Sequence, residues 1–426
     1  MDHLAREYAL ELDRCDRLAE FRDRFYIPPG AIYLDGNSLG LASRAAEAEI
    51  LQTLDDWKTH GVAGWTTEDR GWFRTGEDLG DRQAMLVGAR PGEIVVTGST
   101  TVNLHSLVAT FYQPAGTRTR ILADRLNFPS DIYALESQVR LRGLDPARHL
   151  ILVGSRDGRT IDEVDLIRSM NDDIALVVLP SVLYRSGQLL DVERLARAAR
   201  ARDIPIGIDC SHSAGVVPHR LHDWEVDFAF WCNYKYLNGG PGAIGSLFVH
   251  ERHHGLRPGL TGWWGFQKER QFDLALDFES AANAGAWQIG TPSILGMAGL
   301  RGSLDLFHEA GIARIREKSL ALTAYLIDLV DSRLSASPYS FRIGTPRDAE
   351  RRGGHLAIEH PDAIRIAKAL RARGVVPDFR PPDVIRLAPI AFYTSYVELW
   401  DTVEILREIV DHGEQLRFAA TRDLIS

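Results

Sequence analysis

The chain has 426 residues, a formal net charge of −9, 45% hydrophobic and 25% charged residues, which is more length than one hydrophobic core usually takes and the composition of an ordinary soluble protein. Its pI near 5.9, with no basic patch interleaved with aromatics, argues against a nucleic-acid partner. No apolar run reaches membrane-spanning length, no signal-peptide core follows the acid- and arginine-rich start, and Cys15, Cys210 and Cys232 have no metal-ligand spacing, so a cytoplasmic protein without membrane contact or bound metal is expected.

In chain order, apolar runs at 94–97, 120–123, 150–153, 174–179 and 204–208 alternate with helix-like segments, the pattern of βα units. Before the last run, Val192, Leu195, Ala196 and Ala199 share one helical face, while Arg194, Arg197 and Arg200 point elsewhere. After about residue 300 the pattern changes. A long helix is predicted from 312, then strands at 341–343, 355–358 and 384–387, with helices over 363–370 and 397–412. The reading is an α/β protein: an N-terminal segment over 1–45, a large mainly parallel-sheet domain over 46–305 and a smaller α+β domain over 306–426. The arginine- and proline-containing stretch 344–354 is predicted to be a surface loop.

Lys235 follows the apolar run 226–231, stands between Tyr234 and Tyr236, and precedes Gly239 and Gly240. These flanks suit an amine that attacks an aldehyde as the free base; the alternative is a structural lysine snorkelling from a strand end. Upstream, Asp209 ends the run 204–208, at the edge where open α/β sheets bind ligands. A carboxylate there suits a protonated pyridine nitrogen, with His212 stacking on the ring or holding Asp209; a turn-capping aspartate is the alternative. The letters Gly240-Pro241-Gly242-Ala243-Ile244-Gly245 match a dinucleotide fingerprint, but residues 246–250 read as a strand and offer no helix N-terminus. The better phosphate cradle is Gly98-Ser99-Thr100-Thr101, where a strand turns into an apolar helix. Arg386, alone among apolar neighbours in 384–389, has the planar fork that grips a carboxylate.

These stretches, together with Tyr33-Leu34-Asp35-Gly36-Asn37-Ser38-Leu39-Gly40, Thr101-Val102-Asn103-Leu104-His105, Asn127-Phe128-Pro129-Ser130-Asp131-Ile132-Tyr133, Tyr184-Arg185-Ser186-Gly187, Gly262-Trp263-Trp264-Gly265 and Gln288-Ile289-Gly290-Thr291-Pro292, resemble the kynureninases in order and spacing. Kynureninases are pyridoxal 5'-phosphate (PLP) enzymes of the aspartate aminotransferase fold, fold type I. The resemblance implies that Lys235 carries PLP, that Asp209 faces its ring nitrogen, and that Thr100, Thr101 and Tyr234 hold its phosphate. It implies further that Phe128, Pro129, Ser130, Asp131 and His212 surround the ring, and that Trp263 and Thr291 come from the partner subunit of a homodimer with shared active sites. Asn37 and Arg386 would meet the substrate α-carboxylate, and Trp65 with Trp72 would wall the aryl side chain. The N-terminal segment would pack on the small domain. The implied reaction is hydrolytic Cβ–Cγ cleavage of kynurenine to anthranilate and alanine in tryptophan degradation, with Lys235, Asp209 and Tyr234 catalytic; another fold type I enzyme, such as a C–S lyase acting on a cysteine conjugate, is the alternative. Phe266 and Trp65 stand where some relatives carry histidine, and Thr291 where some carry asparagine, which implies a preference for kynurenine over 3-hydroxykynurenine.

Overall fold

In a computed structural model that describes residues 2–422, the strands in chain order are β1 Ile32–Tyr33, β2 Ile94–Val96, β3 Arg120–Asp124, β4 Leu150–Val153, β5 Ile174–Pro180, β6 Ile206–Asp209, β7 Phe228–Trp231, β8 Ser246–Val249, β9 Arg342–Ile343, β10 Leu356–Glu359, β11 Val375–Val376, β12 Asp378–Arg380 and β13 Val384–Leu387. Seven of them form one sheet in the order β2-β8-β7-β6-β5-β3-β4. Only β8 runs against the others.

Alternation along these strands sends side chains to two apolar layers. On β7, Phe228 and Phe230 join a layer with Leu104, Leu107 and Leu135 from the helices Thr100–Phe111 and Pro129–Leu141. Ala229 and Trp231 face the other side, packing with helices Thr75–Val87, Val192–Arg200 and Ile294–Ala310. Burial on both faces explains why the strands read as continuous apolar runs rather than alternating ones. The face of Val192, Leu195, Ala196 and Ala199 is the buried one, as the periodicity requires.

Beyond residue 310, strands β12-β13-β10-β9 form a second, antiparallel sheet. Its core joins Leu322, Leu326 and Val330 of the helix Ile312–Arg333 to Leu356, Ile358, Ile385 and Leu387, and takes in Ala9 and Leu34 from the start of the chain. The same N-terminal stretch also sends Leu18, Phe21, Phe25 and Leu41 into the core of the large sheet. The Asp13 carboxylate accepts the Tyr396 and Val397 amides at 2.6 and 3.0 Å, at the start of helix Tyr396–Asp411, where free N–H groups and the helix dipole favour an anion.

Residues 344–354 are the expected surface loop only in their middle, where Arg347, Asp348 and Glu350 are exposed; both ends are buried. Thr345 and Arg352 are buried, Leu189 donates to the Arg351 carbonyl at 2.9 Å, and Gly353 donates to the Gly187 carbonyl at 2.7 Å. Arginine and proline read as solvent-facing, yet the Arg352 guanidinium is satisfied internally by Thr323 and backbone carbonyls.

Candidate active site

The strand-end residues gather along the carboxyl edge of the large sheet. Asp209 closes β6, Lys235 lies four residues beyond β7, and the turns after β2 and β3 open the helices that begin at Thr100 and Pro129. The Lys235 Nζ sits 3.1 Å from His212 Nε2. Asp209 is 7% exposed and its Oδ1 accepts the Ser211 amide at 2.8 Å. Burial raises the Asp209 carboxyl, and the Lys235 charge works against that shift. Asp131, also buried, is held well above the carboxylate range, first by burial and then by the Asp209 charge. Two carboxyls so close resist ionising together, so one proton resides on the pair. His212 is kept well below its ordinary value by burial and then by Lys235, so its ring is neutral. The expectation that His212 holds Asp209 is corrected here: its hydrogen bond goes to the lysine.

Asp131 Oδ2, Ser211 Oγ and His212 Nδ1 are buried without a hydrogen-bond partner. Unpaired groups of this kind each cost about 1–3 kcal/mol, and together they match the polar rim of a bound heteroaromatic ring. Phe128, 43% exposed, stands edge-on to Tyr184 with centroids 5.3 Å apart, leaving ring surface free for stacking. The residues present therefore fit PLP.

Three backbone segments meet at the candidate phosphate cradle. Ser99 makes no side-chain cap on the helix Thr100–Phe111, so its first amides are free for an anion. Thr101 Oγ1 and Ser130 Oγ meet at 2.8 Å, joining the N-termini of two helices. The chain 240–245 turns directly into β8, so it opens no helix. Instead the Gly245 carbonyl accepts the Thr97 amide at 2.9 Å, its amide donates to Gly98 at 3.1 Å, and a Cβ there would lie 3.2 Å from Thr100 N. Gly245→Ala is therefore expected to weaken PLP binding about tenfold through displaced backbone donors, measured as a cofactor dissociation constant; unchanged affinity would remove Gly245 from the cradle.

Tyr234 is bound through its carbonyl, which accepts the Gly40 amide at 2.8 Å. Burial, then Cys232, raises its phenol, which therefore stays protonated. A Cβ on Gly40 would lie 2.4 Å from the Lys235 carbonyl, so glycine lets the turn after β1 close onto the lysine loop. That turn carries Asn37, fully buried with both side-chain polar atoms unpartnered.

Arg386 is 1% exposed. Its Nε and Nη2 contact Asp378 Oδ2, Nη1 donates to the Tyr184 carbonyl at 2.6 Å, and Nη2 donates to Ser38 Oγ at 3.1 Å. The expectation that Arg386 meets a carboxylate through its fork is narrowed: four of its five N–H donors are engaged inside the protein and one, on Nη1, remains.

Trp65 and Trp72 lie in short 3-10 turns. Trp65 packs on Trp72 and Trp264 at 5.6 and 5.3 Å, and Trp65 and Trp72 help line a cavity of about 380 Å³ with Trp57, Val62 and Pro292. Below this wall, Lys268 donates to the Trp264 carbonyl at 2.9 Å, and burial pushes its amine down to about 8. Phe266 is buried against Phe278. Trp263 is 41% exposed and Thr291 is exposed, their segments joined by a Trp264 amide bond to the Ile289 carbonyl at 3.2 Å. Among the described residues, no hydrogen bond or ring contact ties Trp263 or Thr291 to Lys235, Asp209 or Thr100.

Sequence reasoning missed Ser38, Asp124, Asp378 and the histidine His355. Asp124 closes β3 as Asp209 closes β6, so its signal was present. Its Oδ1 accepts the Leu126 amide at 2.8 Å, its Oδ2 is unpartnered, and burial pushes the carboxyl up to about 7. A folded value above the unfolded one means that stability is fully present below the unfolded value and is lost as pH rises toward 7. Asp124→Asn should therefore stabilise the cofactor-free protein at pH 8, by up to about 4 kcal/mol, and leave it unchanged at pH 4. Equal denaturation midpoints for both proteins at pH 8 would contradict this.

A second buried cluster, Glu93, His222 and His250, lies at the opposite edge of the sheet. Glu93 Oε1 accepts from His222 Nδ1 and the Glu251 amide, its Oε2 accepts the Arg90 amide, and His250 Nδ1 accepts the Arg252 amide. Those bonds use the lone pairs a cation would need, and the cluster reads as a structural knot. Cys210 is buried with its thiol pushed up to about 12, and Cys232 is buried too, which gives a desulfurase no exposed nucleophile beside the lysine.

The chain is 54% identical to the kynureninase of Geobacillus thermodenitrificans (strain NG80-2), over 99% of this chain and 98% of that protein. It is 54% identical to the kynureninase of Shouchella clausii (strain KSM-K16), with the same coverage. The family model of the kynureninase C-terminal domain matches residues 315–406. Among solved structures, the apo cysteine desulfurase of Thermococcus onnurineus NA1 has a TM-score of 0.77 at 19% identity, covering 92% of this chain and 98% of that one. A C-DES mutant with glycine covalently linked to its PLP cofactor has a TM-score of 0.76 at 16% identity, covering 92% and 99%. At such identities the likeness concerns the fold, which is that of fold type I PLP enzymes.

Proposed function

This chain belongs to the kynureninase family, and from that membership we propose a residue-level account of its reaction. It is an enzyme that hydrolyses the Cβ–Cγ bond of kynurenine to anthranilate and alanine. The observation that carries this is the identity over nearly the whole chain to kynureninases; the C–S lyase reading has only fold likeness behind it.

PLP, when bound, supplies an electron sink for the carbanion at the substrate α-carbon. Lys235 holds it covalently, with Thr100, Thr101, Tyr234 and the first turn of the helix Thr100–Phe111 at its phosphate. Asp209 accepts the ring N–H, Asp131 stands beside it with the shared proton, and Phe128 and His212 take the ring faces, with Pro129 and Ser130 shaping the edge. Lys235, once displaced by substrate, moves the α-proton, and the neutral His212 at 3.1 Å accepts a hydrogen bond from its amine and orients it. Water adds to the γ-carbonyl and supplies the hydroxyl of the departing acid, the electron pair of the broken bond stays on Cβ, and the protonated Tyr234 phenol is the proton donor for that carbon. Asn37 and Arg386 orient the α-carboxylate.

Trp263 and Thr291 complete the site of a second copy, which makes the protein a homodimer and accounts for their exposure here. The domain divisions near residues 45 and 305 and a cytoplasmic location belong to the same proposal, as does a place in tryptophan catabolism feeding NAD biosynthesis. No helix among the described residues is long and apolar enough to cross a membrane.

The test is to load the protein with PLP, add kynurenine and assay anthranilate and alanine. Cofactor absorbance without either product would leave the fold and remove the function. The indole side chains of Trp65 and Trp72 offer no hydrogen-bond acceptor for an added ring hydroxyl. Kynurenine is therefore expected to exceed 3-hydroxykynurenine in kcat/KM by about tenfold or more, and a reversed ratio would refute this.

A further inference from the structure

A guanidinium has five N–H donors. In Arg386 those on Nε and Nη2 face Asp378 Oδ2 and Ser38 Oγ, and one on Nη1 faces the Tyr184 carbonyl. One N–H, on Nη1, is left. An α-carboxylate offers two oxygens with about four lone-pair sites, so Arg386 held in this way satisfies only part of it. The remaining donors have to come from other buried groups.

His355 meets that requirement. It is fully buried immediately before β10, and its ring centroid lies 5.6 Å from that of His212, whose Nε2 is 3.1 Å from the Lys235 amine. The Tyr236 hydroxyl lies 3.4 Å from His355 Nδ1, and burial raises the phenol so that it keeps its proton to donate. The imidazole is neutral because burial, and then the Arg386 charge, oppose protonation more than the nearby Tyr184 carbonyl, which also takes an Arg386 N–H, favours it. With Nδ1 accepting, the ring proton resides on Nε2, which is buried and has no hydrogen-bond partner.

We propose that His355 Nε2–H is a second donor to the substrate α-carboxylate, beside the free N–H of Arg386. His355 is thus a substrate-binding residue that reads the amino acid rather than its aryl side chain. The inference rests on the reading of Arg386 as the carboxylate site.

The test compares L-alanine with ethylamine, which lacks the carboxylate, by titration calorimetry on the PLP-loaded enzyme, together with steady-state kinetics on kynurenine. His355→Leu is expected to weaken L-alanine binding about tenfold or more with ethylamine unchanged, and to raise KM for kynurenine similarly while kcat moves little. His355→Gln, a neutral donor of similar reach, should recover most of the loss. His355→Asn, polar but too short, should behave like His355→Leu and serves if the apolar variant does not fold. Equal weakening of both ligands, or of neither, overturns the proposal. Arg386→Lys separates the two readings. If it leaves the preference for L-alanine over ethylamine intact, the carboxylate site lies elsewhere and both readings fall. If it abolishes the preference while the His355 variants do not, only the role of His355 falls.

Discussion

Replacing Lys235 by alanine is expected to lower kcat for kynurenine by about four orders of magnitude and to abolish the covalent cofactor link, while the fold persists. The magnitude combines loss of the nucleophile that anchors PLP with loss of the base that moves the α-proton. The fold persists because Lys235 is only half-buried and its amine makes one hydrogen bond, to His212. Two measurements check this: borohydride reduction followed by mass spectrometry of the tryptic peptides, and single-turnover kinetics. Cofactor reduced onto another lysine, or a loss of only tenfold, would show that another amine performs these steps.

Asp209→Asn should cost about a thousandfold in kcat with a smaller loss in PLP affinity. The carboxylate lies in a dry site, where a fixed charge stabilises a ring cation far more than it would in water. Asparagine keeps the shape and the bond from the Ser211 amide but not the charge. The neighbouring Asp131 adds a second expectation. Part of what raises its carboxyl is the Asp209 charge, so Asp209→Asn lets Asp131 ionise at lower pH and partly replace it. Asp131→Asn combined with Asp209→Asn should then lose more activity than the separate losses imply. Additive losses would mean that the two carboxyls act independently, and a kcat within tenfold of wild type for Asp209→Asn alone would remove it from the ring nitrogen.

The chain announced the βα order, the strand ends and the lysine because these follow from local pattern: apolar runs buried on both faces, a carboxylate closing one, a lysine just past another. The same logic was available for Asp124 and was not applied. What stayed illegible was which polar groups satisfy one another. Arg386 reads as a lone cation in an apolar strand, and nothing nearby in sequence announces that Asp378, on the antiparallel neighbour β12, engages it. His212 beside Asp209 in sequence suggested a pair, yet the turn at 210–213 aims its ring at Lys235 instead. The buried Arg352 within 344–354 is hidden from the sequence for a related reason, since composition cannot show that an arginine finds carbonyl acceptors inside the protein.

The pairing of β1 with β11, Ile32 beside Val375 and Tyr33 beside Val376, has a consequence for synthesis. The ribosome releases the strand that bears the Asn37 turn early and its partner almost last. At about 5–20 residues per second, the first strand waits roughly 20–70 s for the second. Through that interval Leu34 has no finished core to enter, and the substrate turn has no fixed address. Nascent chains stalled before residue 375 should bear the lysine loop and the phosphate helix but lack the strand that fixes Asn37. A ribosome that stops early thus makes a chain whose turn at Asn37 is left without the strand that holds it.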